Sequence, residues 1–208
     1  SWPICLCYIF LWLLIVWNNM KNINYMNISI LLLLLVSKLS SSFINISPFI
    51  ATIIIGSYFV NSKYHLLIMV WIAQFVSDIS FGIHVSTVFV YISYFCIVPV
   101  LYLSEKNFSL ATSLINAVYA NIIFFFVSNF GHFISFSEYY SLPIFFDSYE
   151  AGIPFGINLL LSTLLFIFIY HALLAISNKQ LVSSWLKWGY LKLKLSTCFI
   201  FSDTCLKE

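Results

Sequence analysis

Arginine is absent from this chain of 208 residues, and all nine of its basic side chains are lysines. That absence removes the planar fork that grips phosphate or carboxylate in two places at once. With a net charge of only +2 and no clustered cations, nothing in the chain suits nucleic acid as a partner. Charge of either sign is scarce, at 8% against roughly 25% in soluble domains. A globule of this size could not keep its surface wet with so few charges. The five cysteines, Cys5, Cys7, Cys96, Cys198 and Cys205, form no CxxC and no paired ligand spacing, so neither a zinc site nor a disulfide framework is signalled. No G-x-x-x-x-G-K-[ST], HExxH or GxSxG occurs, and one intramembrane carboxylate with dispersed histidines falls short of a catalytic constellation. A non-enzymatic protein without a metal or cofactor is expected.

What the chain has in abundance is hydrocarbon. Apolar residues make up 62%, above the roughly 45–50% of soluble proteins, and the few charges separate long uncharged runs. A transmembrane helix needs about 20 mostly apolar residues to cross a core about 30 Å thick. The runs Phe43 to Val60, Lys63 to Gly82, Thr87 to Leu103, Leu110 to Ile134 and Ile153 to Ile176 meet or approach that length. A shorter run centred on Ile30 to Val36, between Lys21 and Lys38, reads as a further span. The expected fold is therefore all-α, a polytopic membrane protein with a bundle of about six transmembrane helices over residues 20–178. Met20, followed by Lys21 and Asn22, resembles a natural start, so residues 1–19 are expected to be an upstream extension or an extra span.

Lysine placement predicts orientation, because short cytoplasmic loops collect Lys and Arg. Lys179, Lys187, Lys192 and Lys194 follow the last long run, whereas Ser135 to Gly152 carries Glu138, Asp147 and Glu150 and no lysine. The tail over 179–208, with Trp185, Trp188 and Tyr190 among its lysines, is expected to lie in the cytoplasmic headgroup layer. Both termini are then cytoplasmic if Met20 is the start, in the inner membrane of a bacterium. Lys38, on the outer side of this scheme, is its one violation.

An ionisable group inside a span costs about 2.5–3.5 kcal/mol on insertion scales and usually faces the bundle interior or a water-filled cavity. Asp78 is the one such carboxylate, with Trp71, Gln74 and Gly82 on its helix face and His84, His132 or Asn129 as expected partners. In the predicted orientation Asn45, Pro48, Tyr91, Tyr94, Asn129, His132, Pro154 and Asn158 all gather toward the outer side, with His84 in an outer link. Asn121, Phe125, Ser128 and His132 follow helical spacing along one face. A polar, aromatic-rich cavity opening outward accounts for this clustering. The segment Ser135 to Gly152, with Tyr139, Tyr140, Phe145, Phe146 and Tyr149, reads as a long loop that is either a lid or an interfacial aromatic belt. Thr52 and Gly56 have small-xxx-small spacing, suited to packing within the bundle or to docking a separate membrane subunit.

Several stretches carry a family resemblance. Asn45-Ile46-Ser47-Pro48, Gly56-Ser57-Tyr58-Phe59, Ser77-Asp78 with Gly82 and His84, Phe126-Val127-Ser128-Asn129-Phe130-Gly131, and Ile153-Pro154-Phe155 with Asn158 occur in order between Ile44 and Ala172. In these the chain resembles small bacterial membrane proteins of unknown function related to the substrate-capture subunits, or S components, of energy-coupling factor transporters. Where that pattern has an arginine and an acidic residue in the last span, this chain has Ile157 and Thr163. The resemblance implies a six-helix bundle that captures a small molecule, such as a vitamin, cofactor precursor or metal, and docks on a coupling transmembrane subunit driven by ATPases. Asn45, Asp78, His84, Asn129, His132 and Asn158 are the expected substrate-binding residues, and Thr52 and Gly56 the expected docking face. The rival expectation is a scaffold that organises an envelope complex through that face and binds no solute.

Overall fold

A computed structural model describes residues 23–39, 47–104, 108–137 and 140–202. Among them all regular structure is helical, in six helices: α1 Ile23–Leu39, α2 Phe49–Phe59, α3 Lys63–Phe81, α4 Thr87–Leu103, α5 Leu110–Phe136 and α6 Leu142–Ser202. The chain divides into two compact units, the first ending at Tyr170 and the second beginning at His171. The second unit is helical as far as Ser202, and the side chains of the expected basic tail lie outside the described residues. Residues 1–19, assigned above to an extension or an extra span, also lie outside them.

The first unit is organised around its shortest helix. α2 has 11 residues and is apolar all round, and Phe49, Ile50, Ala51, Thr52, Ile53, Ile54, Gly56 and Ser57 are all buried. It touches α1, α3, α4 and α5, which is what a helix with no polar face must do. Its length follows from its borders. Pro48 precedes it, suited to a helix start because its fixed φ is helical and its missing N–H would lack an intrahelical partner there. Val60 is extended at its end, with its carbonyl accepting the Tyr102 hydroxyl. α6 is tied to α2 by polar contacts. Ser162 Oγ donates to the Ser47 carbonyl at 2.9 Å and accepts from the Ser47 N–H at 3.2 Å, while Thr52 Oγ1 and the Tyr170 hydroxyl lie 2.8 Å apart.

The boundaries of α3, α4 and α5 follow polar punctuation. Ser109 caps α5, its hydroxyl accepting from the Thr112 N–H at 3.1 Å. α3 ends at Gly82, whose φ of +101° lies where L side chains are strained. Gly82→Ala is expected to cost about 1 kcal/mol, measurable as a lower unfolding midpoint of the purified chain.

Around this apolar centre many polar groups are buried as well, while much hydrocarbon faces outward. Gln74, Asp78, Ser93, Ser113, Asn116, Asn121, Ser162 and Thr163 are buried, whereas Ile68, Phe75, Ile79, Phe95, Ile115, Phe126, Ile157 and Leu165 are exposed. An apolar surface of this extent is foreign to a water-soluble monomer. Two helical stretches, Leu110–Phe136 and Leu142–Leu173, are long and apolar enough to cross a membrane, and Asn27–Lys38, Phe49–Phe59 and Thr87–Leu103 are shorter apolar helices.

One expectation is corrected. The segment Ser135 to Gly152 is not a long loop, because α5 runs on to Phe136 and α6 begins at Leu142. Pro143 occupies the first turn of α6, where proline is tolerated, and Asp147 and Glu150 lie on its exposed side. The aromatic residues fasten this added helical length to α5. The Phe145 ring meets Phe133 at 5.4 Å and Tyr149 at 4.7 Å, and the Tyr149 hydroxyl donates to the Phe126 carbonyl at 3.0 Å. Phe145 and Tyr149 thus pack against α5, whereas Tyr140 and Phe146 are exposed and Tyr139 lies outside the described residues.

Candidate functional site

The last turn of α1, the start of α2, the middle of α4, the second half of α5 and the first part of α6 come together. A cavity of about 200 Å³ opens among them, lined by Lys38 of α1, Ser47 before α2, Phe49 and Ile50 of α2, Tyr94 of α4, Phe124, Phe125, Ser128 and Asn129 of α5, and Gly152, Phe155, Gly156 and Leu159 of α6. Five aromatic rings and four polar or charged side chains make it amphipathic, as small-molecule sites generally are.

The wall shared by α5 and α6 depends on two pairs at helical spacing. Phe125 and Asn129 of α5 face Gly156 and Gly152 of α6, and a Cβ on either glycine would collide with the opposing side chain. The glycines thus let Asn129 and Phe125 reach the cavity edge. The Asn129 Nδ2 donates to the Phe125 carbonyl at 2.7 Å, which fixes its amide plane. The Ser128 hydroxyl is returned to its own helix, donating to the Phe124 carbonyl at 2.6 Å.

Behind the Tyr94 wall lies a hydrogen-bonded network centred on Asp78, which is 7% exposed. Gln74 Nε2 donates to one carboxylate oxygen at 2.6 Å, and the Tyr91 hydroxyl donates to the other at 2.8 Å. The Tyr94 hydroxyl donates to Gln74 Oε1 at 3.3 Å, completing a path from the cavity wall to the carboxylate. Asp78 is also within electrostatic reach of Lys38. The Lys38 ammonium sits 5.1 Å from the centroid of the Phe49 ring, in cation–π range.

The structure brings some of the expected residues together and separates others. Asn129 lines the cavity, and Asp78 stands one layer behind it. The partners of Asp78 are Gln74 and Tyr91, where His84, His132 and Asn129 were expected. His84 is in the exposed link after α3, its backbone N–H donating to Thr87 Oγ1 at 3.2 Å. His132 is exposed, its ring 4.8 Å from Phe136 and its Nδ1 3.3 Å from Ser148 Oγ. Asn158 is on an exposed face of α6. Asn45 lies outside the described residues. Among the described residues no three His, Cys, Asp or Glu side chains come together as a metal site would require. Thr52 is 2% exposed and bonded to Tyr170, and a Cβ on Gly56 would lie 3.1 Å from Leu66 and 3.2 Å from Ile30. The small-residue face of α2 therefore packs within this chain, the use that leaves no room there for a docking subunit.

Lys38, Ser47, Tyr94, Ser128 and the two glycines of α6 enlarge the site beyond the expected residues. For Lys38 a signal existed: in the orientation expected from the sequence it is the lysine that breaks the positive-inside pattern, and such a charge calls for a local reason.

Residues 18–185 match the model of DUF6580, a family of unknown function. The chain belongs to that family. The cavity, the Asp78 network and all six helix starts fall within the matched residues. No curated protein and no solved structure matches the chain.

Proposed function

We propose that this DUF6580 protein is a six-span bundle in the bacterial cytoplasmic membrane that captures a small solute from outside. In this reading it is a subunit resembling the S components of energy-coupling factor transporters. The observation that carries it is the cavity, where one cationic, one amide and two hydroxyl side chains meet five aromatic rings around one space. Polar residues of a membrane bundle often serve only to bond neighbouring helices, whereas here four of them border an open recess. The apolar exterior supports residence in lipid, and lysine placement supports an outward opening. In this reading the chain hydrolyses no nucleotide, and energy comes from a coupling membrane subunit and its ATPases.

The scaffold alternative gains nothing from the Thr52 and Gly56 face, which is occupied by Ile30, Leu66 and Tyr170. Binding of a labelled panel of vitamins, cofactor precursors and metal ions to the purified chain in lipid nanodiscs tests the proposal. At least one solute is expected to bind, and Asn129→Ala to weaken it about tenfold, or about 1.4 kcal/mol. Indifference of the wild-type chain to the whole panel, with envelope proteins recovered by pull-down, would favour the scaffold.

A further inference from the structure

We propose that a second recess, on the outer side of the wall between α5 and α6, binds a small neutral lipophile bearing a hydroxyl group, which donates to the Oδ1 of Asn121. This goes beyond the capture reading and rests only on the apolar exterior of the bundle lying in a bilayer.

The recess has a volume of about 210 Å³. Its lining includes Ile122, Phe125 and Phe126 of α5 and Gly156 and Ile157 of α6, and among the described residues its one polar side chain is Asn121. Phe125 and Gly156 also line the capture cavity, so their contact is the partition between the two spaces. Ile122, Phe126 and Ile157 are exposed at the rim, whereas Asn121 is 6% exposed. The opening therefore faces the hydrocarbon around the bundle.

Asn121 does not bond the helices beside it. An asparagine in a membrane helix ordinarily reaches a neighbouring helix, but the Asn121 Nδ2 turns back to the Ala117 carbonyl of its own helix at 2.8 Å. That bond settles the orientation of the amide, because a carbonyl accepts only from the nitrogen end. The Oδ1 is buried and, among the described residues, accepts no hydrogen bond. An unpaired buried acceptor is costly. Asn121 lies about 16 Å along the axis from Leu110, near the middle of a helix of 27 residues, so neither water nor lipid headgroups reach it in a core about 30 Å thick. The donor it calls for has to arrive in a molecule that dissolves in hydrocarbon.

The lining decides the chemical class. A lone water would find one partner here where it needs two to four. A carboxylate would set acceptor against acceptor, and an ammonium would enter hydrocarbon with two of its three hydrogens unmet. A hydroxyl brings one hydrogen, and a ring or short chain behind it fills the remaining space against Phe125, Phe126 and Ile157. The volume of about 210 Å³ lies below the roughly 300–1,000 Å³ of drug-sized sites, so that body is small. On α5 the recess runs only from Val118 to Phe126, about two and a half turns, which suits a compact molecule better than the length of a partner helix.

Three fluorinated probes of nearly one shape test this: para-fluorobenzyl alcohol, its methyl ether and para-fluoroethylbenzene. Binding to the purified full chain in lipid nanodiscs is followed by fluorine NMR at matched concentrations within the bilayer. The alcohol is expected to saturate at a concentration about tenfold below that of the ether or the hydrocarbon. Asn121→Leu, close in volume, should bring the alcohol level with the hydrocarbon. The wild-type series stands even if the leucine variant fails to fold. Equal binding of the alcohol and the hydrocarbon, or a preference that survives in Asn121→Leu, would overturn the assignment. Absence of saturable binding by all three would also overturn it, and a disulfide-linked pair formed through Ile157→Cys would then give the recess to a second copy of the chain. Capture is scored separately through Asn129 and the solute panel, so it stands or falls by its own result.

Discussion

Asp78→Ala is expected to destabilise the purified chain by about 3–5 kcal/mol, the loss that follows when one member of a buried charged arrangement is removed and the rest remain. Two donors would be stranded together. Gln74 Nε2 and the Tyr91 hydroxyl lose their acceptor, and the electrostatic attraction between Asp78 and Lys38 goes with it. Asp78→Asn should fall between, since the amide keeps the shape and one acceptor but turns a donor toward one of the two donors. The decisive comparison is a double-mutant cycle. Lys38→Met should cost less in the Asp78→Asn background than in the wild type, because its attraction to Asp78 is already gone there. Equilibrium unfolding in detergent measures all four chains. Strict additivity, or an alanine variant as stable as the wild type, would show that Asp78 and Lys38 do not act on one another.

Ile53→Ala should cost about 2–3 kcal/mol, while Ile79→Ala should stay within about 0.5 kcal/mol. Both remove the same three carbons. Ile53 is fully buried in α2, whereas Ile79 is 66% exposed on α3. In lipid the transfer part of the penalty shrinks, because the acyl chains are as apolar as the protein interior. The void part survives, because α2 is held on several sides and cannot collapse into the gap. The same unfolding assay distinguishes the two. Equal losses would mean that α2 is not the centre of the packing.

Much of the helical plan was legible because uncharged runs and polar breaks coincide with helix ends. Thr87 to Leu103 was readable to the residue, with Ser86 and Ser104 at its borders, and α3 and α5 ran within two residues of expectation. The start of α6 was hidden by its chemistry. Pro143, Asp147 and Glu150 resemble loop residues when counted as polar content, yet Phe145, Tyr149 and Gly152 recur at helical spacing on the packed side. Among the site residues, the Asp78–Gln74 face was accessible from periodicity on one helix, and Asn129 from its expected depth along another. Lys38 was not, because its neighbours in the cavity come from helices distant in sequence, and only packing decides which side chains a lysine meets. His84 and His132 misled for the complementary reason: helical depth placed them at the right level, but neither points to the cavity that the other residues share.

The floor of the recess is formed by the first turn of α2, where Phe49 and Ile50 meet the open space. At about 1.5 Å per residue its 11 residues span about 16 Å, roughly half the thickness of a hydrocarbon core. The helix thus behaves as a plug inserted partway up a shaft. Moving the proline stop by one turn in a family member would raise or lower that plug by about 5.4 Å, resizing the chamber while every wall residue stayed in place. The size of the recess could then diverge within DUF6580 through the position of a single helix start, without any change in the residues that line its walls.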